Sequence, residues 1–204
     1  MTDCFALLDL PRQPWLDPEL VKEQFNALSA RFHPDKVECS TEEARVAATA
    51  RFADLNLAYQ TLREAKSRLA HLIQLESGAA PASIEQVSNE SADLFFEVSG
   101  LCRKVDQFLG DKAKSTSPLL KAAQFAQALE WTDRLQQLQQ SIVDKRTALE
   151  GEVHQLNGAW AASPDLTANS KNDSMDRLKE IYAKLGYLSR WNAQLQERIV
   201  QLSV

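Results

Sequence analysis

The first 77 residues of this 204-residue chain contain no glycine, because all six glycines lie at or after Gly78. A glycine-rich phosphate loop needs glycine, and so do the Asn-Gly or Asp-Gly turns of tight hairpins. The N-terminal part is therefore better explained by helices joined by short turns. Residues 77–83 (Ser-Gly-Ala-Ala-Pro-Ala-Ser) combine glycine, proline and small side chains, which predicts a linker.

Charge and apolar patterning exclude two classes of partner. The formal net charge is −5, and a general nucleic-acid binder needs a basic face for its phosphate contacts. No apolar run approaches the roughly 20 residues of a membrane helix. We therefore expect no nucleic-acid partner and no membrane partner. The acidic N-terminus is followed by no long apolar stretch, so no signal peptide is predicted and the expected location is the cytoplasm.

The cysteines and histidines argue against a metal site. Cys4, Cys39 and Cys102 are odd in number and form no C-x-x-C pair, so a disulfide framework or structural zinc site is not expected. His71 and His154 have no ligand-like spacing to them and are expected to be structural or exposed. The sequence predicts no metal, no cofactor and no enzyme active site.

Four short helices are predicted in the N-terminal part. Asp17-Pro18 has the pattern of an N-cap and first helical residue, and the helix it opens should end near Phe32, before Pro34. Ser40 and Glu43 have the spacing of a capping box for the next helix. The apolar stripes of these two helices are Val21, Phe25, Leu28 and Phe32, and then Val46, Phe52, Leu55, Tyr59 and Leu62.

The C-terminal part predicts three longer helices over residues 84–109, 117–160 and 175–202, with a loop at 161–172. Heptad columns run through the last two of them. One column is Leu135, Ile142, Leu149 and Leu156; the others are Leu178, Leu185, Asn192 and Ile199, and Ile181, Leu188, Leu195 and Leu202. An antiparallel three-helix bundle would bury these columns within one chain, and an intermolecular coiled coil is the alternative.

The tripeptide His33-Pro34-Asp35 lies between the two amphipathic N-terminal helices. Alone it is a weak signal, since a helix-ending loop produces it by chance. Its context resembles a J-domain of the HscB-like branch, on four segments of this sequence. These are the opening Asp3-x-Phe5-x-Leu7-x-x-Leu10-Pro11, then Arg31 to Lys36, then Leu55 to Arg63 (LNLAYQTLR), then Arg68 with Leu72-Ile73-x-Leu75.

The resemblance implies a co-chaperone that stimulates the ATPase of a DnaK/HscA-type chaperone. It implies that His33, Pro34 and Asp35 contact that chaperone, with Lys22, Arg31 and Lys36 steering the approach. Proline would present its neighbours on a short loop, and Asp35 would accept a charge-assisted hydrogen bond from an arginine of the ATPase. Asn26 and Ala27 stand where many J-domains are basic, so steering is expected to be weaker.

In the C-terminal part the resemblance is fainter. It implies a client surface for an IscU-type iron–sulfur scaffold, beginning at Leu94, Phe95, Phe96 and Glu97. Adjacent phenylalanines on a helix cannot both face one core, so one is expected at the surface. The alternative is that both are buried between the bundle and the J-domain. Ser99, Gly100, Arg103 and Gln107 depart from the apolar and acidic residues expected there, so the client is left open.

The sequence thus predicts an all-α protein: a J-domain at 1–76, with an antiparallel helix pair and short flanking helices, a linker at 77–83, and a three-helix client-binding bundle at 84–204. Two alternatives to an iron–sulfur co-chaperone are a J-domain protein with another client and a structural coiled-coil protein whose His-Pro-Asp is accidental.

Overall fold

In a computed structural model the described residues are 2–32, 42–81, 89–114, 117–161 and 168–203. These ranges contain helices and no strand, which confirms the all-α prediction. The helices are α1 (Cys4–Leu7), α2 (Pro18–Phe32), α3 (Glu42–Arg63), α4 (Ala65–Ser77), α5 (Asn89–Lys114), α6 (Pro118–Ala161) and α7 (Ala168–Ser203).

Local capping explains why several helices begin and end where the sequence predicts. The Asp17 carboxylate accepts the Glu19 backbone N–H at 2.9 Å, so α2 starts at Pro18 as expected. Helix α4 stops at Gly78, whose φ of 74° is left-handed and whose N–H bonds to the Gln74 carbonyl at 3.0 Å. Glycine adopts that conformation without the strain of a Cβ atom. Ser40, half of the predicted capping box, lies outside the described residues.

Two predicted helix ends are wrong. Helix α5 runs to Lys114 instead of Leu109, because Gly110 keeps a helical conformation and does not adopt the left-handed one that caps a helix. Helix α7 begins at Ala168, within the predicted 161–172 loop. Asn and Ser are weak helix formers that also favour turns, but the packed column that follows from Met175 extends the helix backwards through them.

Contacts divide the chain into two compact units, each made of two chain segments. Unit 1 comprises residues 1–82 and 150–182, and unit 2 comprises residues 83–149 and 183–204. The C-terminal end of α6 and the first half of α7 therefore pack with the N-terminal helices. The boundaries of these packing units differ from the predicted segments 1–76, 77–83 and 84–204. The predicted segments concern which parts of the chain fold and function alone, and they remain a prediction.

In unit 1, helix α3 is the central element and packs against α1, α2 and α4. Its buried side chains are Leu55, Ala58 and Leu62, which have the i, i+3 and i+7 spacing of one helix face. The fully buried apolar residues of these elements are Phe5, Leu8, Leu55, Leu62, Leu69, Leu72 and Ile73. This arrangement leaves the C-terminal end of α2 and the adjoining part of α3 at one edge of the unit.

Val46 does not join the apolar stripe of α3 and is 59% exposed. The Arg51 guanidinium is 5.5 Å from the centre of the Phe32 ring. Arg51 of α3 therefore lies beside Phe32, the last residue of α2. Val46 is five residues earlier, about 7.5 Å further along the helix. The first turns of α3 thus lie beyond Phe32, the last described residue of α2, and Val46 is exposed there when the described residues alone are considered.

In unit 2, α5 and the parts of α6 and α7 that belong to it share one apolar core. The heptad residues of this unit, among them Leu135, Ile142, Leu188 and Leu195, pack in that core, as the predicted three-helix bundle requires. Its most buried members are Val98, Val105, Leu135, Ile142 and Leu195.

Candidate functional site

The end of the α2–α3 pair carries an exposed cationic cluster around Phe32. The rings of Phe25 and Tyr59 stack with centroids 4.4 Å apart and hold the two helices side by side. About two helical turns further along, two guanidiniums lie near the Phe32 ring, that of Arg31 at 5.3 Å and that of Arg51 at 5.5 Å. Cations over an aromatic face are held in place while their charge stays available to solvent. We call Arg31, Phe32 and Arg51 the arginine cluster.

The arginine cluster directly precedes the predicted motif. His33, Pro34, Asp35 and Lys36 lie outside the described residues. Arg31 lies in the cluster, and Lys22 lies exposed on α2, 3.4 Å from the equally exposed Glu19 carboxylate. An exposed ion pair of that kind contributes little to folding stability, so the lysine can exchange it for other contacts. Sequence reasoning missed Arg51; the signal was its place on α3 one position before Phe52, beside the aromatic positions that face α2.

Arg68 fixes the position of α4 in unit 1. The side chain is buried, its Nε donates to the Pro14 carbonyl at 2.8 Å, and its Nη1 donates to the Leu62 carbonyl at 2.7 Å. Burial lowers the pKa of this arginine to about 10, so it stays charged at neutral pH. One side chain thereby joins α4 to the loop after α1 and to the end of α3.

His71 has the structural role expected of it. Its Nε2 accepts the Cys4 backbone N–H at 3.0 Å, which requires that this nitrogen be unprotonated. Its ring stacks on Phe5, with 5.7 Å between centroids. Burial lowers the His71 pKa, and the Asp3 carboxylate 4.0 Å away opposes that shift only in part. His71 is therefore a neutral acceptor within the fold.

The loop between α1 and α2 is covered by the end of α6, within unit 1. The Trp15 backbone N–H donates to the Asn157 side-chain oxygen at 3.1 Å. The Trp160 indole N–H donates to the Arg12 backbone carbonyl at 3.0 Å. His154, exposed as expected, makes an edge contact with the Trp15 ring at 4.4 Å. These three α6 residues satisfy or cover groups of a loop more than 130 residues away.

The Leu94 to Glu97 stretch is split between core and surface. Leu94 is buried in the bundle, Phe95 is 38% exposed and Phe96 is 67% exposed. Phe95 lies 6.2 Å from Trp191 of α7, whereas Phe96 contacts Phe95 edge-on at 5.5 Å and otherwise faces outward. Neither phenylalanine is buried, and Phe96 is much the more exposed of the two. Glu97 is exposed beside it.

A groove of about 570 Å³ opens between α5 and α6 next to Phe96. It is lined by Phe96, Glu97, Gly100, Leu101 and Lys104 of α5, and by Trp131, Arg134, Gln137, Leu138 and Ser141 of α6. The sequence indicates only Phe96 and Glu97 of this lining. On α6 its clearest pattern is the heptad column that begins at Leu135, and none of the α6 lining residues belongs to that column. We call this the α5–α6 groove.

Within the described ranges, no group of three His, Cys, Asp or Glu side chains is arranged to hold a metal ion. No helix in those ranges combines the length and apolarity that membrane crossing requires.

Residues 3–71 match the DnaJ-domain family. The arginine cluster, the Arg68 brace and the predicted His-Pro-Asp motif all fall within this match. The N-terminal part of the chain is therefore a J-domain.

The relatives of this J-domain are HscB homologues. A co-chaperone protein HscB homologue of Vibrio cholerae serotype O1 (strain M66-2) is 42% identical over 72 residues, which cover 35% of this chain and 42% of the relative. One from Vibrio campbellii (strain ATCC BAA-1116) is 33% identical over 114 residues, covering 56% and 63%. The chain is thus similar to HscB homologues, and it spans less than half the length of the Vibrio cholerae relative.

The fold also resembles that of a solved HscB structure. The crystal structure of human co-chaperone protein HscB aligns with a TM-score of 0.62 over 97% of this chain and 82% of the human chain. At 17% identity this similarity concerns the fold alone.

Proposed function

We propose that this protein is a co-chaperone that stimulates the ATPase of a DnaK/HscA-type chaperone in the cytoplasm. The observation that carries the proposal is the J-domain match over residues 3–71, which includes His33-Pro34-Asp35. In this proposal Asp35 accepts a charge-assisted hydrogen bond from an arginine of the ATPase, and His33 braces the loop and contacts the chaperone. Hydrolysis itself is carried out by the chaperone, whose conformational equilibrium the J-domain shifts.

The arginine cluster supports the proposal by its charge and position. Arg31 and Arg51 lie against Phe32 and are followed directly in the chain by the motif. Their fixed cations, together with Lys22 and the predicted contribution of Lys36, would favour approach to an acidic chaperone surface. Electrostatic steering acts mainly on the association rate. Removal of these cations should therefore raise the concentration needed for half-maximal ATPase stimulation more than it lowers the maximal stimulation.

The decisive experiment is a steady-state ATPase assay with the full chain and a DnaK-type chaperone. Asp35→Asn keeps the side-chain shape and removes the charge, so we expect stimulation to fall by about tenfold or more. His33→Gln should behave similarly. The matched control is Asp54→Asn, the same substitution at an exposed position of α3, which should stimulate as well as the wild type. Stimulation by Asp35→Asn equal to that of the control would contradict the proposal.

We further propose that the bundle brings the client, an IscU-type iron–sulfur scaffold, through the surface that begins at Leu94 to Glu97. Exposed aromatic side chains are the residues that most often dominate protein interfaces. Phe96 meets that description, while Leu94 supports it from the core.

A pair of phenylalanines provides a controlled test. Phe96 and Phe125 are both 67% exposed in unit 2, but only Phe96 lines the α5–α6 groove. We expect Phe96→Ala to weaken scaffold binding by about 2 kcal/mol, roughly thirtyfold in Kd, and Phe125→Ala to leave it unchanged. Equal affinities for the two variants, measured by calorimetry, would remove the proposed client surface. A scaffold that fails to bind the wild type at all would point to another client.

The division into segments is part of the same proposal. The fragment 1–76 is expected to retain ATPase stimulation and to lose any synergy with a client, because residues 84–204 would carry the client surface. Synergy that survives in the fragment would show that the bundle is not the client module.

A further inference from the structure

The α5–α6 groove has the shape of a helix-binding site. Three residues separate Lys114 at the end of α5 from Pro118 at the start of α6, and both helices line the groove, so they run antiparallel. Gly100 forms part of the floor, and a Cβ atom placed on it would meet nothing within 4 Å. Leu101 and Leu138 line the groove beside it. The groove follows α5 from Phe96 to Lys104, about 12 Å or two helical turns.

The side chains around this floor are those that dominate protein interfaces. Trp131 lines one wall, and the Arg134 guanidinium lies 5.0 Å from the centre of its ring. Phe96 borders the groove and is mostly exposed. Tryptophan and arginine are residue types enriched among interface hot spots, and Leu101 and Leu138 in the same lining add apolar contacts for a peptide partner.

Charge selects the chemistry of that partner. Lys104 and Arg134 both line the groove, and neither forms an ion pair among the described residues. The one carboxylate in the lining is Glu97, seven residues before Lys104 on α5 and therefore about 10 Å from it along the helix. The groove is thus cationic at its Lys104 end, with an excess of one positive charge in its lining.

We propose that the α5–α6 groove binds the apolar face of an acidic amphipathic helix in the client protein. Such a helix would place its apolar stripe over Gly100 and Leu101 and its carboxylates beside Lys104 and Arg134. This inference rests on the proposed client role of the bundle and specifies the chemistry of the client segment.

The probe is a pair of fluorescently labelled amphipathic peptides of about 15 residues, long enough to form helix on binding. Both carry one stripe of leucine and tryptophan; the first has glutamate on its polar face and the second has lysine. Binding to the full chain is measured by fluorescence anisotropy without chaperone or nucleotide, so its outcome does not depend on ATPase stimulation. We expect the acidic peptide to bind at least about tenfold more tightly, and this preference to shrink as salt is added.

Two glycines on α5 supply a matched pair of variants. Gly100→Gln adds a side chain in the lining of the groove, at a position where a Cβ atom meets nothing within 4 Å, and favours the helix. Gly110→Gln makes the same change outside that lining. We expect Gly100→Gln to lose at least about tenfold in affinity for the acidic peptide and Gly110→Gln to lose none. The double variant Lys104→Glu, Arg134→Glu should reverse the preference between the two peptides.

Thermal melts followed by circular dichroism confirm that each variant is folded. Equal binding of the two peptides, or an unchanged affinity in Gly100→Gln, would overturn the proposal. So would an acidic peptide that fails to bind the wild type at about 1 mM, the weak end of specific recognition. In each case the proposed ATPase stimulation would be unaffected.

Discussion

In unit 1 the buried arginine and histidine are both hydrogen-bonded to distant backbone, whereas in unit 2 several buried polar atoms have no partner. Arg68 and His71 bond to the backbone at Pro14 and Cys4, which lie more than 50 residues earlier in the chain. Within the described ranges, unit 1 has one buried side-chain atom without a hydrogen bond, Ser29 Oγ. Those of unit 2 are Gln124 Oε1, Trp131 Nε1, Asn192 Oδ1 and Arg198 Nε.

This difference shows that two kinds of interaction stabilise the two units. Hydrogen bonds are directional, so a fully bonded buried group allows one arrangement of the segments it joins. Apolar packing in heptad columns is tolerant of small shifts, as long as volume and pattern are kept. The hydrogen bonds of Arg68 and His71 therefore fix how α4 lies against the N-terminal segment of unit 1. The core of unit 2, beside the proposed client groove, is held chiefly by apolar packing.

The largest expected effect is the loss of the Arg68 brace. Arg68→Met keeps much of the apolar volume but leaves the Pro14 and Leu62 carbonyls without their donor, which should cost about 3 kcal/mol of unfolding free energy. The counterpart in unit 2 is Arg198→Met. Arg198 pairs with the half-exposed Asp106 at 2.8 Å, and that carboxylate can be hydrated instead, so the expected loss is about 1 kcal/mol or less. Urea unfolding of both variants measures the difference, and equal losses would break the comparison.

The next effect tests the packing of unit 2. Leu94→Ala removes a buried side chain and should cost about 2–3 kcal/mol, while Phe96→Ala should cost less than about 1 kcal/mol because Phe96 is mostly exposed. Chemical denaturation of each single variant measures these two losses of unfolding free energy. If Phe96→Ala were the more destabilising of the two, Phe96 would be a core residue and the groove would lose its aromatic wall.

A smaller pair of effects, opposite in sign, compares glycines from the two units. Gly78 has a φ of 74°, so Gly78→Ala introduces strain and should destabilise by about 1 kcal/mol. Gly110 lies in the interior of α5 with free space around it, so Gly110→Ala should stabilise by about 0.5–1 kcal/mol. Differential scanning calorimetry should show Tm shifts in opposite directions. Shifts of the same sign would contradict these backbone conformations.

The smallest expected effect is a pH dependence that originates in unit 1. Burial keeps the His71 pKa below its ordinary value, so the folded state binds fewer protons there than the unfolded state. Stability should consequently fall as pH drops below about 6.5, the unfolded-state value, until the lower folded-state pKa is passed. His71→Gln should flatten this slope, and His154→Gln, at an exposed position, should leave it intact. Urea midpoints between about pH 7.5 and 5.5 provide the measurement, above the range in which Asp3 titrates.

The sequence predicted the N-terminal helices well because their limits depend on local chemistry. Asp17 caps α2 through its own carboxylate, and Gly78 ends α4 because it tolerates a left-handed backbone. Signals of this kind depend on neighbouring residues alone. The ends of α5 and α7 were mispredicted because Gly110 and the Asn-rich start of α7 have weak local preferences, which packing overrode.

The features that sequence reasoning missed are formed between elements. Arg51 belongs to the arginine cluster only because α3 passes beside Phe32. Trp131 and Arg134 form a wall of the groove only because α6 runs antiparallel to α5. The spacing of Val46 predicts a buried residue, but burial also depends on whether α2 extends far enough to pack against it. Periodicity shows which face of a helix is apolar and does not show where its partner ends.

The contacts of Trp15 with Asn157 and Trp160 also bear on how the protein is made. The loop that holds Trp15 leaves the ribosome early, whereas the α6 residues that cover it are translated roughly 80 residues after the end of α4. At about 5–20 residues per second, this delay lasts roughly 4–16 s. During it the N-terminal helices can form, but the Trp15 side of the nascent chain stays uncovered. Completion of unit 1 is therefore a late event in translation, although most of its residues precede those of unit 2 in the chain.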